Sequence, residues 1–161
     1  MTVLAGTGVG LAVFVATRSD SKIDPESAAP FLWLFSALFL VRVGGQLFVR
    51  LRRPRWLPPS EEWNLSPYRL LLPTQIGILA LLAWIDVAFS LGHGAPVHPR
   101  PGLGEGILVF TYVYAGVMAA RYAIRMATTP GERWFGGTIP IVFHWALAAE
   151  LYVLGSFYAS Y

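Results

Sequence analysis

Apolar residues gather along the chain into four runs, at about 30–49, 70–91, 106–124 and 137–158, separated by shorter stretches rich in proline and arginine. Each run is roughly 20 residues long, and a helix of that length rises through the ~30 Å hydrocarbon core of a bilayer. The pattern predicts an all-α fold, a polytopic membrane helical bundle with four transmembrane helices. It forms a single integral membrane domain over residues 1–161. Residues 2–17 make a further apolar run, about 24 Å long if helical. That run admits a short fifth helix at the N-terminus, although its three glycines each weaken a helix by ~1 kcal/mol. No basic segment precedes it, which argues against a signal peptide.

Proline punctuates the runs. Pro30 is placed to open the first span, where its missing N–H does no harm. Pro54, Pro58 and Pro59 end it, and Pro67 and Pro73 bracket the entry to the second. Pro96, Pro99 and Pro101 stiffen the next connection, Pro130 and Gly131 turn the one after, and Pro140 falls early in the last span.

Charge sets an expected orientation. Eleven of the twelve basic residues are arginine, and Arg50, Arg52, Arg53, Arg55 and Arg69 flank the first connection, with Arg125 and Arg133 in the third. The positive-inside rule then puts 50–69 and 125–136 in the cytoplasm, with 92–105 and the C-terminus outside, as in a plasma (inner) membrane. The net charge of +3 is therefore no nucleic-acid footprint, since it belongs to membrane-flanking loops. The absence of cysteine excludes thiolate catalysis, disulfides and cysteine-ligated metals. A mass of 17.7 kDa leaves no room for a soluble catalytic domain beside the helices.

Aromatic side chains collect near the expected boundaries: Trp56, Trp63, Tyr68, Trp134 and Phe135 on one side, Phe157, Tyr158 and Tyr161 on the other. This reads as an interfacial belt, since these rings favour the headgroup region. Trp63 and Trp134 also lie in loops (55–68 and 131–140) that mix tryptophan, arginine and glutamate, a composition suited to docking a protein or a lipid headgroup.

Ionisable residues at membrane depth are the default functional candidates. They are Arg42, Asp86, Arg121, His144 and Glu150, joined by the uncharged Gln46 and Gln75. At 1.5 Å per residue they separate into a basic layer toward the cytoplasm and an acidic pair, Asp86 and Glu150, toward the outside. Arg42, Gln46 and Arg50 follow i, i+4, i+8 and share a stripe, while Gln75 and Asp86 share a face of the second span. His144 and Glu150, six apart, lie about 120° from one another around their helix. Gly44–Gly45 and Ala148–Ala149 are candidate sites of close helix approach.

These residues support three functions. The leading expectation is a non-catalytic accessory or assembly subunit of a larger membrane complex, bound to a membrane-protein partner or to a second copy of itself. The alternative is a small intramembrane isomerase or cyclase working by proton transfer on an apolar substrate. There Asp86 and Glu150 are the acid/base pair, with His144 and Arg42 stabilising charge. The third is a proton-coupled transporter. His144 is also the candidate axial ligand of a haem or chlorin, but the second histidine such a group needs is absent from the spans, since His93 and His98 lie in a loop. No cofactor identity follows, and His93, His98 and Glu105 match no metal-ligand spacing.

Overall fold

The computed structural model describes residues 22–52, 71–128 and 138–161. Residues 2–17, Trp63, Trp134 and most of the two arginine-rich loops lie outside the described residues. The four apolar runs form four α-helices: α1 (Pro25–Arg52), α2 (Leu71–Leu91), α3 (Pro101–Thr128) and α4 (Thr138–Ala159). A single 3₁₀ turn, Ala95–Val97, stands between α2 and α3, and the described residues contain no strand. All four helices are long and apolar enough to cross a membrane.

Two helices begin five residues before their apolar runs. Pro25, not Pro30, opens α1; the Asp24 carbonyl accepts the N–H groups of Ser27 and Ala28, and the Ser27 hydroxyl as well. Pro30 sits inside the helix. Pro101 opens α3 in the same way, with the Gly104 N–H reaching the Arg100 carbonyl at 2.9 Å. A proline at the first helical position forfeits no bond, and its fixed φ is already helical.

The helices alternate in direction. Near the start of α1, the Ile23 N–H donates to Ser160 Oγ (3.2 Å) and Lys22 Nζ lies 5.0 Å from the centre of the Tyr161 ring. At the end of α4, the Tyr158 hydroxyl donates to the Pro96 carbonyl of the loop that follows α2 (2.5 Å). One end of the bundle thus gathers the start of α1, the loop between α2 and α3, and the end of α4.

Lateral packing runs in the order α2, α1, α4, α3. α1 packs on both α2 and α4, whereas α3 packs extensively on α4 alone. Residues Ala28, Leu32, Phe35, Phe39, Arg42 and Gln46 of α1 are all buried, and their spacing alternates between four and three. That is the seam of a helix meeting neighbours at a shallow angle. Toward the Tyr161 end, Leu32, Phe35, Phe89, Val153 and Phe157 form one core; toward the Arg52 end, Phe39, Val43, Leu72 and Leu82 form another.

Two expectations are corrected here. Phe157 and Tyr158 are buried rather than interfacial: the Phe157 ring meets Phe89 edge-on at 4.6 Å, and only Tyr161 is exposed. Their depth matched a belt, but their side of α4 faces the bundle. Gly44 mediates no close approach, since a Cβ there would meet nothing within 4 Å. Gly104 and Gly155 do. A Cβ at Gly104 would strike the backbone of Tyr158 and Ala159, and one at Gly155 would press on Ile107 and Leu108. The Ala148–Ala149 pair is buried as expected of a contact surface.

Candidate functional site: two polar layers inside the bundle

Between the two cores, α1, α2 and α4 bring Ser36, Asp86 and Glu150 together. All three are buried, Asp86 at 0% and Glu150 at 1% exposure. Ser36 lies on the α1 seam, seven residues from Ala29 and from Val43, so it faces the other helices. Its hydroxyl donates to Glu150 Oε1 at 2.9 Å and also neighbours the Asp86 carboxylate. With hydrogen-bond geometry, however, it reaches only Glu150. Both oxygens of Asp86 and the second oxygen of Glu150 are buried without a hydrogen-bond partner. A buried carboxylate normally collects several donors, because stripping its water is costly. Here the one hydroxyl beside the two acids bonds Glu150 alone.

The backbone beside Asp86 leads outward. The Asp86 carbonyl accepts the Ser90 hydroxyl (2.8 Å), which in turn accepts the indole N–H of the exposed Trp33 (2.9 Å). Asp86 stands about 8 Å from the last residue of α2, a little over one helical turn. The open cleft of about 450 Å³ lined by Asp24, Pro25, Glu26, Ser27 and Gly92 lies at the helix ends and does not include the acid pair.

The second layer lies toward Arg52 and Thr128. His144 is half-buried on the side of α4 that meets α3, and its Nδ1 is 2.5 Å from the Tyr114 hydroxyl. Their spacing around α4 turns His144 to α3 while Glu150 faces α1 and α2. Arg42, buried on α1, holds its guanidinium 5.7 Å from the centre of the Phe143 ring. Arg121 itself is exposed. Next to this layer, Tyr122 of α3 packs against Trp145 of α4 at 6.2 Å.

The remaining candidates are dispersed. Gln46 is fully buried on α1, one turn beyond Arg42. Gln75 is half-buried on α2, and its Oε1 is enclosed without a hydrogen bond. Among the described residues no three histidine or acidic side chains converge as metal ligands.

Ser36 and Tyr114 are the participants that residue type alone did not single out. The signal for Ser36 was a lone hydroxyl at a seam position seven residues from small or β-branched neighbours. For Tyr114 it was a phenol on the α3 face shared with Arg121. No family model, curated protein or solved structure matches the chain.

Proposed function

We propose that this integral membrane protein handles protons within the bilayer, with Asp86 and Glu150 as the exchanging acids and Ser36 as the donor to Glu150 beside them. One observation carries the reading: two fully buried carboxyls from different helices lie beside a single hydroxyl that bonds only Glu150, and three of their four oxygens are unbonded. A structural ion pair would bring a cation, and a structural hydrogen-bond network would satisfy its members. A shared proton serves this arrangement better, because it removes one charge and supplies a donor between the acids. The chemistry that follows is acid/base transfer on an apolar substrate or proton passage coupled to transport. The Ser90–Trp33 side of Asp86 is the short way out.

Infrared spectra of the reconstituted protein over a pH titration test this. A band from a protonated carboxyl should appear and vanish with pH. Asp86→Asn and Glu150→Gln should each alter or remove it while the helical content stays unchanged. Bands indifferent to both substitutions would refute the proposal.

The leading sequence expectation, an accessory subunit of a membrane complex, stands as a second reading because one observation favours it. On α3, Gly102, Gly106, Val109, Val113, Gly116 and Ala120 are all exposed and alternate in spacing by four and three. A Cβ at any of these glycines would meet nothing. A helix of a partner protein packs closely against such a stripe. Under this reading a stoichiometric partner co-purifies in mild detergent and is lost on Gly106→Ile; a monodisperse monomer from native membranes would count against it. In either case the proposed placement is the plasma membrane, with 50–69 and 125–136 cytoplasmic.

A further inference from the structure

The buried acid layer has more oxygens than donors. Ser36 carries one hydroxyl hydrogen and gives it to Glu150 Oε1, so toward the neighbouring Asp86 carboxyl it offers only the lone pairs of its oxygen. Both oxygens of Asp86 and Oε2 of Glu150 are enclosed without a hydrogen bond. One shared proton engages two of these oxygens, the one that carries it and the one that accepts it. A small cation takes several oxygens at once, from carboxylates, hydroxyls and carbonyls alike, and needs no donor among them.

We propose that Asp86, Glu150 and Ser36 bind a sodium ion in exchange for a proton, an assignment that rests on the acid pair handling protons. Charge favours exchange over simple addition. With two protons the pair is neutral; with one proton and one sodium ion it is neutral again, and the displaced proton leaves to water. Net charge inside an apolar bundle is costly, so both states are accessible where the doubly ionised pair is not. The ligands come from three helices, Ser36 from α1, Asp86 from α2 and Glu150 from α4, and all three residues are buried. A bound ion therefore ties these helices together. Calcium collects about six to eight oxygens and magnesium keeps several waters, whereas this layer offers three unbonded carboxyl oxygens and one hydroxyl in a closed interior. A monovalent ion fits that smaller set. The nearer end of the bundle gives it an approach. There the open cleft of about 450 Å³ is lined by the exposed Asp24 and Glu26 and by Gly92. Gly92 follows Asp86 by six residues, about 9 Å along α2.

The test uses the full-length protein in detergent, with sodium chloride replacing choline chloride at constant ionic strength. Three signals are read: the infrared band of a protonated carboxyl, proton release into weakly buffered solution, and the unfolding temperature. Sodium should shrink the band, release one proton for each ion bound and raise the unfolding temperature. Asp86→Asn and Glu150→Gln should each abolish this response. Ser36→Ala should raise the sodium concentration required about tenfold while keeping a carboxyl band that titrates with pH. Glu26→Gln, at the exposed cleft, should leave that concentration unchanged. A band that titrates with pH but ignores sodium would overturn the proposal and leave the proton reading standing. A sodium response that survives Asp86→Asn in a folded protein would place the ion elsewhere and overturn it as well. If no titrating band appears at any pH, the proton reading fails and the exchange fails with it, whatever sodium does.

Discussion

α3 and α4 are both apolar enough to cross a membrane, yet 67% of the α4 span is buried inside the bundle against 11% of the α3 span. The difference comes from their neighbours. α4 is wedged between α1 and α3 and approaches α2 through Phe157 against Phe89, whereas among the described residues α3 packs extensively on α4 alone. In a bilayer, hydropathy cannot distinguish a central helix from a peripheral one, because lipid is as apolar as a protein core. What separates the two is how well side chains fit. Chemistry follows the same division: Glu150 of the central helix is buried, while Arg121 of the peripheral one is exposed.

The largest effect should come from the point where these helices touch most closely. Gly104 of α3 is buried, and a Cβ there would collide with the backbone of Tyr158 and Ala159, which cannot rotate aside as a side chain could. Gly104→Val should therefore destabilise the protein at or beyond the upper end of the ~1–3 kcal/mol typical of overpacking. Gly102→Val, on the same helix in open space, should cost no more than about 1 kcal/mol and serves as its partner measurement. Unfolding in a graded detergent mixture reads both. Equal losses would mean that α3 and α4 do not meet at Gly104.

How much of this was legible beforehand depends on the kind of fact. Four helices were, because a run of about 20 apolar residues has few other ways to satisfy its backbone in a membrane. The starts of α1 and α3 were not. Both helices continue past their apolar runs, through Glu26 and Ser27 in one and Gly102 and Gly104 in the other, and are set by the prolines at their first positions. The two layers could be read from depth, since 1.5 Å per residue places Asp86 near Glu150 and Arg42 near His144. Ser36 was hidden for a physical reason. Hydroxyls in helices commonly bond their own backbone one turn back, as Thr111 does to Ile107 and Thr128 to Ile124. A lone serine therefore carries no signal until its side of the helix is known. The same ignorance of rotation about the helix axis moved Phe157 and Tyr158 to the interface and chose Gly44 over Gly104.

A smaller effect sharpens the comparison using one residue type. Phe157 on α4 is fully buried and packs edge-on with Phe89, Tyr158 and Tyr161, whereas Phe110 on α3 is exposed and stacks on Tyr114 at 5.7 Å. In a soluble protein, removing a buried phenylalanine costs ~3–5 kcal/mol, part transfer from water and part cavity. In lipid the transfer part largely disappears, because the unfolded helix keeps its ring in an apolar medium. Phe157→Ala should then fall near 3 kcal/mol, mostly lost packing, and Phe110→Ala within about 0.5 kcal/mol. The same unfolding assay measures the pair. Should Phe110→Ala cost as much as Phe157→Ala, the outer face of α3 would be a packed surface in the native membrane. The partner-subunit reading would then gain at the expense of a peripheral helix bathed in lipid.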